Sequence, residues 1–205
     1  MIAVLYNPLK AFQQSINTKK AMLNIFLVFL IALVFQTIAI NKIVSLSDFQ
    51  QLTGLPENFP TNIIVFIATG FQLFTNFINI VILSFVFKLI GKITHMNINF
   101  KFIFYIIVLS QIPILMSVFL NSFFIHTFNN GEIYSIFGLG YFFSSFIDNT
   151  YILKLLNTVE MFQLWSAYII TAGFYSVTKK YTFTKTMIII FGVYYIMNIL
   201  ITSIS

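Results

Sequence analysis

The chain has 205 residues, of which 59% are hydrophobic and only 8% charged, and its mean hydropathy is +0.95. An ordinary soluble domain carries about 25% charged residues, so most of this surface is expected to face lipid rather than water. The formal net charge is +6, carried entirely by lysine. Without arginine the bidentate contacts of most nucleic-acid readers are missing, and without cysteine there are no disulfides, thiolates or cysteine metal sites. The richness in Phe, Ile, Asn and Lys suggests an AT-rich bacterial genome.

In chain order, the first element is a short amphipathic helix over residues 1–18. Asn7 caps it, Pro8 opens it, and Leu5, Leu9, Phe12 and Ile16 recur at helical spacing. It is expected to lie on the inner leaflet. Five stretches then reach the roughly 20 apolar residues that a hydrocarbon core requires. They cover residues 21–40, 61–87, 102–125, 161–178 and 186–203. The first lacks a small-x-small cleavage site, so it reads as a retained helix rather than a signal peptide. Residues 133–147 form a shorter apolar and aromatic run, expected to be a re-entrant or interfacial segment on the outer side.

Charge orients this all-α, polytopic bundle. Nine lysines fall before the first span and in the loops that follow the second and fourth spans, namely Lys10, Lys19, Lys20, Lys88, Lys92, Lys101, Lys179, Lys180 and Lys185. No acid accompanies them. All five acids, Asp48, Glu57, Glu132, Asp148 and Glu160, lie in the other two loops with Lys42 and Lys154. Because cytoplasmic loops collect lysine and arginine, the N-terminus is expected inside and the C-terminus outside. A sixth crossing at residues 133–147 would put Lys179, Lys180 and Lys185 on the wrong side. The basic loops act as topology determinants or hold anionic lipid head groups.

Polar residues within the spans serve as helix–helix glue or line a pathway. In the second span Thr69, Gln72, Asn76 and Asn79 lie along one face; Ser110, Gln111, Ser117 and Asn121 mark the third, which Pro113 is expected to kink, and Asn198 the fifth. Together they form either a polar seam between spans 2, 3 and 5 or a set of interhelical hydrogen bonds. Glu160, at the outer end of the fourth span, is a gate or ion ligand, or an acid stabilised by a helix N-terminus. His95 and His126 fall on opposite sides and cannot share a metal. No triad order, metal-binding motif, phosphate loop or paired aspartates occurs, so neither a catalytic site nor a cofactor is expected.

Several short motifs carry a family resemblance. Asn7-Pro8-Leu9-Lys10-Ala11-Phe12 stands before the first span. Leu89-Ile90-Gly91-Lys92, Asn99-Phe100-Lys101, Tyr105 and Ser110-Gln111-Ile112-Pro113 follow in the middle, then Trp165-Ser166, Ala172-Gly173-Phe174 and Lys185. In this order they resemble the Yip (Ypt/Rab-interacting) family of five-span membrane proteins, in its bacterial branch. The usual paired glycines are reduced to Gly91, and the Asp-Leu-Tyr-Gly-Pro motif of eukaryotic members is echoed only by Leu5-Tyr6-Asn7-Pro8. The resemblance implies a single membrane domain over residues 1–205 and a non-enzymatic scaffold or accessory subunit of a transport, export or membrane-organising assembly. The expected partners are the bilayer and a membrane protein or a second copy. A small-solute permease or channel using the polar seam is the alternative.

Overall fold

A computed structural model describes residues 1–13, 18–45, 60–96, 98–124 and 135–204, with side chains to residue 200. The described residues form helices and connecting turns, with no strand among them. We label the helices α1 (Ile2–Tyr6), α2 (Pro8–Gln13), α3 (Thr18–Val44), α4 (Thr61–Ile93) and α5 (Phe100–Asn121), followed by α6 (Leu139–Phe143), α7 (Thr150–Asn157), α8 (Met161–Thr178) and α9 (Phe183–Ile204).

Four of these, α3, α4, α5 and α9, are long and apolar enough to cross a membrane. The α3, α4 and α9 helices leave most of their residues outside the packed interior, and their exposed surface is Leu, Ile and Phe, as lipid contact demands. The α8 helix is less apolar for a structural reason. It is packed by protein instead: Phe162, Ser166, Ala167, Ile169, Ile170, Thr171, Ala172, Gly173, Phe174 and Ser176 are all buried. Its hydroxyls are satisfied locally, Thr171 Oγ1 donating to Ala167 O (2.9 Å) and Ser176 Oγ to Gly173 O (2.8 Å).

The α5 and α8 helices form the central pair, with α3 and α4 against α5 and α9 against α8. Gly173 makes their approach possible, since a Cβ there would sit 2.7 Å from the buried side chain of Ile106. Side-chain pairs fix the directions. Asn24 Nδ2 donates to Tyr105 Oη (2.8 Å) near the start of both α3 and α5, while Phe35 stacks on Phe119 near their far ends. These two helices therefore run parallel. Leu33 and Thr37 beside Asn62, Val65 and Phe66, Phe87 against Phe174 and Tyr175 against Phe183 give α4 the opposite direction to α3, α8 the same direction as α4, and α9 the reverse of α8.

The helix ends are set by local chemistry. The Asn99 side chain caps α5 by accepting from Lys101 N (3.1 Å). Thr94 closes α4 through Oγ1 to Ile90 O (2.7 Å), and His95 turns the chain away with φ of 54°. Lys179 ends α8 in the left-handed conformation (φ 46°), its N–H reaching Tyr175 O. The α4 helix continues six residues beyond the predicted limit of its span, because the lysine that ends the apolar run has no need to end the helix. Lys88 Nζ reaches Ile98 O (2.6 Å) in the following loop.

The N-terminal segment is built as two short helices. Asn7 Oδ1 accepts from Lys10 N (3.2 Å), capping α2 behind Pro8. They run along the bundle instead of lying across its end. Phe12 packs edge-on against Phe102 and Tyr105, while Leu5 O accepts from Trp165 Nε1 (3.2 Å). Trp165 stands thirteen residues before Thr178, so the segment climbs roughly 20 Å along α8 at 1.5 Å per residue.

Candidate functional site

At the end of the bundle opposite the lysine-rich loops, a buried carboxyl gathers three parts of the chain. Glu160, 7% exposed, precedes the first turn of α8. Its Oε1 accepts from Ser117 Oγ of α5 and from Ser135 Oγ (2.8 Å) of the segment before α6. Asn121 Nδ2 then donates to both serine oxygens, at 2.9 and 2.8 Å, and its Oδ1 accepts from Ile136 N (3.1 Å). Backbone bonds from Leu139 N to Val159 O and from Met161 N to Phe137 O close the arrangement. The result is a latch that holds the described part of the predicted outer segment, residues 135–147, against α5 and α8.

That segment carries α6, with Phe142 and Phe146 exposed, and leads into α7, which the sequence reading omitted. The Asn149 side chain caps α7 by accepting from Ile152 N (3.2 Å). Gly140 lets α6 rest directly on α7, since a Cβ would meet Leu153 O at 2.6 Å. Residues 133 and 134 of the predicted segment, along with Asp48, Glu57, His126 and Glu132, lie outside the described residues.

The other predicted polar residues separate into distinct places. Asn198 of α9 donates to Gln163 Oε1 of α8 (3.0 Å). Ser110 is buried and bonded to its own helix at Ile107 O, as is Gln111, more loosely (3.4 Å). Asn76 and Gln111 face a cavity of about 20 Å³ between α3, α4 and α5, room for about one water. Thr69 is buried at a groove of about 350 Å³ between α3 and α4, with Leu33, Thr37, Val65 and Phe66. Gln72 is exposed on the flank of α4 and Asn79 is half-buried there. The polar positions of α4 and α9 thus lie apart, with α9 packed on α8.

At the opposite end, the loops after α4 and after α8 join. Lys180 Nζ donates to Thr94 O and His95 O (3.3 and 3.4 Å), and Tyr181 Oη to Thr94 O (3.1 Å). Lys180 and Lys185 both approach the Tyr181 ring, at 5.5 and 5.0 Å from its centre. Lys92, Lys101 and Lys179 are exposed around this junction. One end of the bundle therefore presents ammonium groups, and the other holds Glu160 and Asp148.

Residues 2–204 match the Yip1 domain. The chain belongs to the Yip1 domain family. No curated protein and no solved structure matches it. Several motif residues quoted above prove to be packing positions of this Yip1 domain: Phe12 against Phe102, Gly173 against Ile106, and Trp165 on the N-terminal segment. Sequence reasoning missed Ser135, which supplies one latch hydrogen bond from the outer segment. A lone serine beside Gly138 gave no period or spacing to detect. Among the described residues no cluster of three His, Cys, Asp or Glu side chains suits a metal ion.

Proposed function

We propose that this Yip1 domain is a non-enzymatic, five-span scaffold or accessory subunit in a transport, export or membrane-organising assembly of a bacterial inner membrane. In this reading α8 is the fifth span, shielded from lipid by the helices around it. The lysine-rich end faces the cytoplasm, the Glu160 latch faces outward, and α3 begins on the inner side. The observation that carries the reading is how the polar chemistry is used. Glu160, the one acid at the end of a span, is engaged by hydroxyls that fasten an outer cap, and the basic loops fasten each other. Such groups hold a surface in shape for a partner.

The cavity beside Asn76 and Gln111, about 20 Å³ in size, speaks for a scaffold over a permease, because a solute needs continuous space to mid-membrane. Purification of the tagged protein from native membranes under mild detergent tests the proposal. A stoichiometric membrane-protein companion or a defined oligomer is expected. Recovery as an isolated monomer, together with solute flux in reconstituted vesicles, would favour the permease instead.

A further inference from the structure

One flank of α4 carries Ala68, Gln72, Thr75 and Asn79, spaced four, three and four residues apart, so all four project along one line of the helix. Ala68, Thr75 and Asn79 are only half-buried, and Gln72 is exposed. Neither Gln72 nor Asn79 makes a side-chain hydrogen bond among the described residues. The rest of the exposed α4 surface is different. Away from that line lie Ile67, Phe71, Phe74, Ile78 and Phe85, a surface suited to acyl chains.

These residues lie close to mid-depth. By the pairing of Phe29 with Phe77, Gln72 and Asn79 stand opposite the central turns of α3. Hydrocarbon offers an amide neither donor nor acceptor. We propose that this flank is the interface between two copies of the chain, with α4 packed parallel to α4 of a second copy. The occupant follows from chemistry and geometry. An amide presents both a donor and an acceptor, so it is complementary to itself across a two-fold axis. Two copies with the same orientation bring Gln72 level with Gln72 and Asn79 level with Asn79. The four-three-four spacing is that of a parallel helix pair crossing at a shallow angle, and Ala68 and Thr75 between the amides keep the helices close.

The proposal rests on the five-span reading, because a shared orientation sets the two helices at one depth. The cysteine-free sequence makes the test direct. Single variants Gln72→Cys, Asn79→Cys, Ile67→Cys and Phe74→Cys are oxidised with copper–phenanthroline in native membranes. Disulfide-linked dimers are expected from positions 72 and 79 and not from 67 and 74, because bridging needs Cα atoms within about 7 Å. The double variant Gln72→Leu/Asn79→Leu is expected to insert normally but to shift from two-step to one-step photobleaching in vesicles. No dimer at 72 and 79, equal yields at all four positions, linkage to a protein of different mass, or unchanged two-step bleaching overturns it. Labelling at Asp148→Cys and Lys179→Cys, on either side of α8, separates this failure from failure of the five-span reading, which would place the two positions in one compartment.

Discussion

Glu160 accepts hydrogen bonds from two serines far apart in the chain, so removing its carboxyl strands both hydroxyl donors, Ser117 buried and Ser135 partly so. An unmade hydrogen bond there costs about 1–3 kcal/mol. The variant Glu160→Ala should therefore lose about 2 kcal/mol, read as a lower melting temperature in detergent and faster proteolysis of the outer segment. Glu160→Gln keeps an acceptor oxygen and should stay near the parent. If the glutamine variant melts as low as the alanine variant, the negative charge matters in a way that hydroxyl anchoring does not explain. Trp165 offers a second test at this scale. Trp165→Phe keeps most of the ring packing but removes the bond to Leu5 O, at a cost of about 1 kcal/mol. Trypsin should then cut at Lys10 sooner, since the N-terminal helices open more often. An unchanged cleavage rate would mean that this segment is held by Phe12 and Pro8 alone.

Among the helices, the closest fit is that of α5 on α8. Gly173→Ala forces a methyl into Ile106 and should destabilise by about 1–3 kcal/mol. Gly192 on α9 meets nothing within 4 Å of its Cβ position, so Gly192→Ala should be neutral or stabilising by up to about 1 kcal/mol. Equal melting temperatures for these two variants would contradict the packing described. The same contrast explains what could be read before the structure. Apolar length and lysine fences announce lipid-facing helices because both report directly on hydrocarbon. The α8 helix, with Ser166, Thr171 and Ser176 inside, is legible mainly through its flanking Glu160 and Lys179. The climb of the N-terminal helices along α8 was not legible. The period of Leu5, Leu9 and Phe12 shows that one face is apolar, yet a leaflet and a helix flank satisfy that face equally well. The polar stripe of α4 shows the same limit: spacing placed Gln72 and Asn79 on one line but could not tell whether the line turned inward or outward. Ser117 and Asn121 are legible with Ser110 and Gln111 as polar positions of the third span, whereas their partner Ser135 comes from a loop without pattern.

For the whole molecule, the account joins one packed centre, α5 with α8, to two ends of opposite character. The basic end ties the loops after α4 and α8 together through Lys180 and Tyr181, and the other end closes over Glu160. Under the scaffold reading proposed above, both ends keep a fixed shape while the flanks of the bundle meet lipid. The orientation can be measured without disturbing the fold, because the parent chain has no cysteine and Lys92, Lys179 and Asp148 are exposed. In spheroplasts treated with a membrane-impermeant maleimide, Asp148→Cys should label at once, and Lys92→Cys and Lys179→Cys only after permeabilisation. Labelling of the two lysine positions from outside, or of all three positions from the same side, would contradict the account.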